Sequence, residues 1–142
     1  MSELATHAAA TDRGDLSTRT DVHDLVVEFY REVVLDEVLE PIFGEVAEVD
    51  WAQHIPKLID YWCQILLGEG SPAGSVTAVH RHLHRIEPIR AEHCDRWYRL
   101  WTQSVDAQWV GPTAEHATAH AAALMAGMAK HLFGFSWSPP PQ

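Results

Sequence analysis

Residues 21–34 read DVHDLVVEFYREVV, and this stretch carries the clearest structural signal of the sequence. Its apolar side chains recur at spacings of three and four residues, which is the period of an amphipathic α-helix. The stripe consists of Leu25, Val26, Phe29, Tyr30, Val33 and Val34. Thr20-Asp21 offers an N-cap, and Pro41 cannot continue a helix. We therefore predict a helix between these points that is stabilised by packing of its apolar face.

The same period recurs downstream and predicts an all-α fold. A second helix is expected to open at Asp50, with Pro56 kinking or delaying its start, and to end at the Gly-rich loop 68–74. A short segment 76–85 follows, and two longer helices are predicted over 91–109 and 113–132. No alternation typical of β-strands is found along the sequence.

Length and composition indicate one globular domain. The 142 residues suffice for a single core, which we place at 18–133, with a flexible tail at 1–17 and an irregular Pro-rich tail at 134–142. Cys63 and Cys94 fall within apolar-periodic segments and are predicted to be buried free thiols. With no signal peptide and no apolar run of about 20 residues, we expect a cytoplasmic protein that does not span a membrane.

The charge balance disfavours two classes of partner. Twenty acidic residues against ten basic ones give a formal net charge of −10, and the basic residues do not form a Lys/Arg cluster in the sequence. Nucleic acid and anionic membrane surfaces attract basic patches, so neither is expected to bind here.

Three histidines, His80, His82 and His84, lie within five residues and form the densest group of metal-ligand side chains. Three interpretations compete. The group is a solvated helix end, or His80 and His84 share one metal ion, or a single histidine binds one large cofactor. His116 and His120 repeat the i, i+4 spacing without acidic partners, and we predict a surface role for them.

The aromatic residues favour the third interpretation. Six tryptophans are more than a small helical core needs, and several predicted helices carry one. Wide flat side chains suit the walls of a pocket for a planar ligand, whose polar atoms can also pair with buried indole or phenol groups. The residues concerned are Tyr30, Phe43, Trp62, Trp97 and Trp101.

Seven short motifs, taken in the order in which they occur in the sequence, resemble those of the truncated globins, and of group III most closely. The second-helix-to-loop region of that family is matched by LVVEFY at 25–30, PIF at 41–43, WAQH at 51–54, YW at 61–62 and LLGEG at 66–70. Its proximal histidine and following helix are matched by HRIEP at 84–88 and EHCDRW at 92–97. The resemblance covers about residues 22–132 and implies a globin-like two-over-two helical sandwich that encloses haem b.

The resemblance also implies roles for individual residues. The family's proximal histidine falls on His84, with His80 as runner-up. Its distal tyrosine, haem-packing phenylalanine, distal histidine and distal tryptophan match Tyr30, Phe43, His54 and Trp97. The distal wall would be completed by Leu58 and Trp62, and the haem propionates would be met by Lys57, Arg81 and Arg85. The sequence departs from the family at Pro56 and at Cys94, where the family usually has phenylalanine.

A haem protein of this kind binds O₂, NO or CO at the open iron position, and the resemblance implies Tyr30 and Trp97 as donors to that ligand. Oxygen transport, NO or peroxide detoxification, and another redox role with a reductase partner are the functions it leaves open. The alternatives are a non-haem helical bundle with a histidine/carboxylate metal site and a sensor or interaction domain without a ligand. The sequence lacks the Glu-x-x-His pair on a core face that such a metal site favours.

Overall fold

The computed structural model describes residues 13–42, 51–69 and 88–141, and every regular element in these ranges is helical. The four helices are α1 (Arg19–Leu35), α2 (Trp51–Leu67), α3 (Ala91–Gln108) and α4 (Pro112–Met128). A π-helical turn, Ala129–Phe133, continues α4. These four correspond to the four long helices predicted from periodicity. The short predicted segment 76–85 and residue Asp50 lie outside the described residues.

The first helix begins and ends earlier than predicted. Its N-cap is Thr18 rather than Thr20, because Thr18 and Asp21 form a reciprocal capping box. The Thr18 hydroxyl accepts from the backbone N–H of Asp21 at 3.1 Å, and the Asp21 carboxylate accepts from that of Thr18 at 3.1 Å. At the other end the helix stops at Leu35, six residues before Pro41.

Pro56 does not delay the second helix, contrary to our prediction. The helix begins at Trp51 and runs through Pro56 to Leu67. An interior proline costs about 3 kcal/mol. The helix buries Leu58, Ile59 and Trp62 on its inner face, and each fully buried apolar side chain of this size contributes about 1.5–3 kcal/mol. Packing therefore outweighs the lost backbone hydrogen bond.

The helices pack as two pairs. α1 lies against α2, and α3 lies against α4; the pairs contact each other through α1 on α3 and α2 on α4. The core between them is rich in aromatic side chains, and Trp101 and Phe29 are its largest fully buried members. Cys63 and Cys94 are buried free thiols, as predicted.

Residues 13–17 are packed rather than loose, which differs from the tail predicted over 1–17. Leu16 is only 1% exposed. Asp15 accepts from the backbone N–H groups of Thr113 at 2.9 Å and Ala114 at 2.8 Å, the second and third residues of α4. It thereby caps a helix whose own N-cap, Gly111, has no side chain. Residues 1–12 lie outside the described ranges.

Glycine is required at position 111 because the Asp15 side chain occupies the space that a Cβ atom would take. Its φ of 139° is one that other residues rarely adopt, and an added Cβ would come within 2.6 Å of the Asp15 Cγ. The remaining contacts of this N-terminal segment secure the same turn: Arg13 donates to the Asp106 carbonyl, and Val110 N–H donates to the Gly14 carbonyl at 2.9 Å.

The predicted C-terminal tail is irregular in its described part but is also anchored. After Gly134, which ends the π-helical turn in the left-handed conformation, residues 135–141 form no helix or strand. Trp137 is 9% exposed, packs against Tyr98 and donates its indole N–H to Asp95 at 2.8 Å. None of the helices in the described ranges has the length and apolar character that crossing a membrane requires.

Candidate functional site

Tyr30 is the central polar group of the candidate site. It lies on the inner face of α1, is 6% exposed, and its hydroxyl lies near the Trp97 side chain on α3. Burial raises the pKa of its hydroxyl well above the usual value, and the indole N–H of Trp97 offsets this only in part. The hydroxyl therefore stays protonated and keeps a proton to donate.

Two residues at the start of α2 face Tyr30. The ring centroids of Tyr30 and Trp51 are 5.2 Å apart, and those of Tyr30 and His54 are 6.2 Å apart with the planes at 80°. Trp51 and His54 are three residues apart on one helix face and lie 5.7 Å from each other. The structure thus brings together Tyr30, His54 and Trp97, three of the residues singled out in the sequence. Trp51 was not predicted to have a role in the site.

Beside this polar group lies a largely apolar pocket. Its cavity volume is about 20 Å³, enough for little more than one water molecule. The described residues that line it are Leu39, Ile42, Ile89, His93, Cys94, Trp97, Met125 and Phe133. Trp97 lines this pocket and also lies next to the Tyr30 hydroxyl. In sequence, Ile42 directly precedes Phe43, and Ile89 follows five residues after His84.

Two groups at the start of α3 give this pocket its chemical character. Burial raises the pKa of the Cys94 thiol to about 12, and the charge of Asp95 adds to the effect. Cys94 therefore behaves as a small apolar side chain. His93 accepts from the backbone N–H of Arg90 at 2.8 Å through Nδ1, which holds its ring at the first turn of the helix. Apart from Trp97, none of the pocket residues was predicted to bind a cofactor, because apolar residues of this kind are typical of any core.

An ion pair fixes the far wall of the pocket. Arg96 on α3 donates to Asp36 at 2.9 Å, and the Asp36 side chain is 8% exposed. The other carboxylate oxygen of Asp36 accepts from the backbone N–H groups of Val38 at 2.9 Å and Leu39 at 3.2 Å. One side chain therefore holds the turn after α1, and with it Leu39, against α3.

The other predicted site residues are placed as follows. Leu58 and Trp62 are buried, at 4% and 2% exposure, while Lys57 is exposed. Trp62 faces the interior between α3 and α4, where it stacks on Trp101 with ring centroids 4.4 Å apart. The predicted residues outside the described ranges are Phe43, His80, Arg81, His82, His84 and Arg85.

His120 is not the surface residue that we predicted. It is partly buried, and its Nε2 and the Tyr61 hydroxyl share a hydrogen bond of 2.7 Å. Its ring also meets the edge of Trp62 at 5.4 Å. Burial lowers the pKa of His120, and the neighbouring His116 lowers it further. The prediction failed because the helix face of α4 that carries His120 turns toward α2. His116 is exposed, as predicted.

An apolar surface groove, separate from the pocket, has Tyr30 in its lining. It lies between α1 and α2 and is lined by Val27, Tyr30, Arg31, Val34, Trp51 and Ile55. Within the three described ranges, no group of three or more His, Cys, Asp or Glu side chains is placed to hold a metal ion.

Comparison with known proteins agrees with this architecture. No protein-family model matches the sequence. The chain is 31% identical over 81 residues to the group 3 truncated hemoglobin of Campylobacter jejuni, a match that spans 55% of this chain and 61% of that protein. It is also similar to the crystal structure of group III truncated hemoglobin from Campylobacter jejuni, with a TM-score of 0.74 and 22% identity over 88% of this chain and 98% of that one. These matches confirm the predicted all-α globin fold and the resemblance to group III truncated globins.

Proposed function

We propose, from the truncated-globin fold of this chain and its sequence similarity to a group 3 truncated hemoglobin, that it is a haem protein binding small diatomic ligands. The cofactor would be haem b, with His84 as the axial ligand and His80 as the alternative. When bound, haem supplies an iron whose sixth position accepts O₂, NO or CO.

The observation that carries the proposal is the buried Tyr30 hydroxyl next to Trp97, at the edge of the apolar pocket. A cofactor of this kind needs apolar walls and a small number of placed polar groups. The pocket offers aliphatic, thioether and aromatic walls, and Tyr30 is a buried donor beside it. The described lining residues are therefore of the chemical types that a flat apolar cofactor with one polar ligand requires.

The further residues proposed to hold the cofactor are those that the resemblance implies. Phe43 and Leu58 would pack against it, with Trp62 behind them on Trp101, and His54 would gate or hold water near the ligand. Lys57, Arg81 and Arg85 would neutralise the propionates. The exposure of Lys57 supports its part in this assignment, because propionates usually meet solvent at the pocket edge.

The interaction between Trp97 and Tyr30 revises the way in which ligand stabilisation is expected to work. The sequence hypothesis gives Tyr30 and Trp97 separate hydrogen bonds to the ligand. Because Trp97 lowers the pKa of the buried Tyr30 phenol, we propose instead that its indole N–H orients and polarises that phenol. Tyr30 is then the direct donor, and Trp97 is a positioning residue.

The biological role that we propose is retention or redox conversion of the ligand, including NO or peroxide removal, rather than rapid oxygen transport. A buried donor that stabilises a bound ligand slows its release. A reductase partner would be needed for repeated redox turnover. The two buried free thiols support a reducing, cytoplasmic location.

An absorption spectrum of the purified protein, before and after titration with haemin, tests the proposal. We expect an intense Soret band in the wild-type protein that is lost in His84→Ala and retained in His116→Ala, a control at an exposed histidine of α4. Loss of the band in His80→Ala alone would move the axial ligand to His80. A protein that stays free of haem throughout the titration would contradict the proposal.

A further inference from the structure

A row of aromatic side chains runs from Trp97, in the pocket wall, through the core to the partly exposed Tyr61. Trp97 and Trp101 lie on α3 with parallel planes, 1° apart, and a centroid distance of 6.0 Å. Trp101 stacks on Trp62 of α2 at 4.4 Å and 25°. Trp62 meets the edge of Tyr61 at 5.5 Å. We call Trp97, Trp101, Trp62 and Tyr61 the aromatic row.

The row connects two environments of different exposure. Trp101 is completely buried, and Trp97 and Trp62 are 6% and 2% exposed. Tyr61 is partly exposed, so it is the member of the row that a small molecule in solution can approach most easily. Each ring contacts the next, whereas a direct step from Trp97 to Tyr61 would cross the core. Electron tunnelling weakens exponentially with distance, so several short steps are faster than one long step.

The outer end of the row is equipped for loss of an electron together with a proton. Oxidation of a phenol makes its hydroxyl strongly acidic, so a base must receive the proton. The Tyr61 hydroxyl lies 2.7 Å from Nε2 of His120. Burial and His116 both lower the pKa of His120, which keeps the imidazole neutral and able to accept. Burial also raises the pKa of Tyr61, so the phenol is protonated before it is oxidised.

We propose that the aromatic row conducts one-electron oxidising equivalents out of the pocket to Tyr61, with His120 as the proton acceptor. This inference rests on the proposed haem function, because it takes hydrogen peroxide, reduced in the pocket, as the oxidant. The row would protect the pocket from peroxide and present an oxidising group at the surface.

Reduction of one hydrogen peroxide to two water molecules takes two electrons and two protons, and the row delivers the electrons one at a time. In each passage Trp97 is oxidised and is reduced again through Trp101 and Trp62 by Tyr61. The Tyr61 proton moves to His120. A one-electron donor of the ascorbate class then reduces the phenoxyl radical, and the phenol recovers a proton from His120. Two passages consume two donor electrons, and the two protons of the pocket reaction come from solvent and the oxidised donor.

Electron paramagnetic resonance of the haem-loaded protein, frozen shortly after mixing with hydrogen peroxide, tests this proposal. The sequence contains three tyrosines, Tyr30, Tyr61 and Tyr98, so single Tyr→Phe variants can assign any tyrosyl radical. We expect the signal to be lost in Tyr61→Phe and kept in Tyr98→Phe, the matched control on α3 outside the row. The Tyr61→Phe protein should also lose its Soret band in fewer peroxide additions.

Two further variants distinguish electron transfer along the aromatic row from a purely structural role of these residues. His120→Gln keeps a hydrogen-bond acceptor but removes the base, and we expect it to diminish the Tyr61 radical without loss of the Soret band. Trp62→Phe interrupts the row, and ascorbate should then restore the resting spectrum more slowly than in wild type. If Trp62→Phe does not fold, His120→Gln decides the question alone.

Two results would overturn the inference while the Soret band is present. One is a tyrosyl signal that disappears only in Tyr30→Phe or Tyr98→Phe. The other is a Tyr61 signal that is unchanged in His120→Gln. If no Soret band develops at all, the proposed haem function fails instead, so the two failures are distinguishable.

Discussion

The side chains of Tyr30, on α1, and Trp97, on α3, lie next to each other in the core, and the pKa of the Tyr30 hydroxyl, which burial raises, is lowered by the Trp97 indole. Both side chains are at least nine-tenths buried, so they interact where water does not compete. The pair links two helices at positions that are 67 residues apart in the sequence (97 − 30).

Replacing Tyr30 by phenylalanine should accelerate O₂ dissociation from the haem-loaded protein. The variant keeps the ring but removes the donor, and loss of about 1.4 kcal/mol of stabilisation corresponds to a tenfold faster rate. Stopped-flow displacement of O₂ by CO measures it. Tyr98→Phe is the matched control and should dissociate O₂ like wild type. An unchanged rate in Tyr30→Phe would show that Tyr30 is not the donor.

Replacing Trp97 by phenylalanine should also accelerate O₂ release, but only while Tyr30 is present. If Trp97 acts by positioning the phenol, its effect in the Tyr30→Phe background is small, and the double-mutant cycle gives a coupling of about 1 kcal/mol or more. Strictly additive effects on the logarithm of the rate would mean that the two residues bind the ligand independently.

The helices, and the grouping of Tyr30, His54 and Trp97, were predicted from the sequence more fully than the rest of the pocket. These three residues were singled out because they match the order of motifs in the truncated globins. Most apolar residues of the pocket wall were not predicted, because an apolar residue that faces a pocket has the same periodicity as one that faces the core. They include Leu39, Ile89, Met125 and Phe133. Only the packing of α3 against α4 and the adjoining turns distinguishes the two kinds of residue.

Replacing Asp36 by alanine should destabilise the protein and weaken haem binding together. The carboxylate holds Arg96 and two backbone N–H groups, and unsatisfied groups of this kind cost about 1–3 kcal/mol each. The turn that carries Leu39 would lose its attachment to α3. Urea unfolding and haemin titration measure the two effects. Glu37→Ala, at the exposed neighbouring position, is the control and should change neither.

Replacing Asp15 by alanine should cost about 1 kcal/mol of unfolding free energy at pH 7, the usual value of a helix cap. Burial opposes the Asp15 charge, but hydrogen bonds from Thr113, Ala114 and Leu16 outweigh it and lower the pKa. A group with a lowered folded-state pKa stabilises the fold above its unfolded pKa of about 3.9, and this stabilisation is lost as the pH falls through the folded pKa.

The difference between wild type and Asp15→Ala should therefore be constant near neutral pH and shrink below about pH 4. Thermal unfolding of both proteins across this range measures it. Glu32→Ala, an exposed position on α1, is the control. A difference that grew on acidification would refute the capping role.

Both thiols should resist alkylation in the folded protein. Cys94 is 1% exposed with a pKa near 12, and Cys63 is fully buried with a raised pKa, so almost no accessible thiolate exists at pH 8. Iodoacetamide labelling followed by peptide mass spectrometry should give little product until urea unfolds the chain, when both cysteines react. Rapid labelling of Cys94 in the native protein would contradict its place in the pocket wall.

The errors at the helix ends and on α4 share a cause. Thr18 and Thr20 both precede an apolar stripe, and only the backbone direction of the residues before α1 decides which one caps. His120 has the same spacing from His116 as a surface pair would have, and its burial depends on where α2 lies. The choice of N-cap and the burial of His120 both depend on contacts between distant parts of the sequence. Periodicity describes one helix at a time and cannot predict such contacts.

The bond between Asp15 and the start of α4 also bears on the order in which the protein acquires its structure. During synthesis Asp15 leaves the ribosome 98 residues before Thr113, its first partner in that helix. Until then Gly111 has no capping side chain to accommodate, and the first turn of α4 has not been made. The N-terminal segment can therefore dock only after most of the protein has been translated. Its docking is a late step in folding and not the step that starts it.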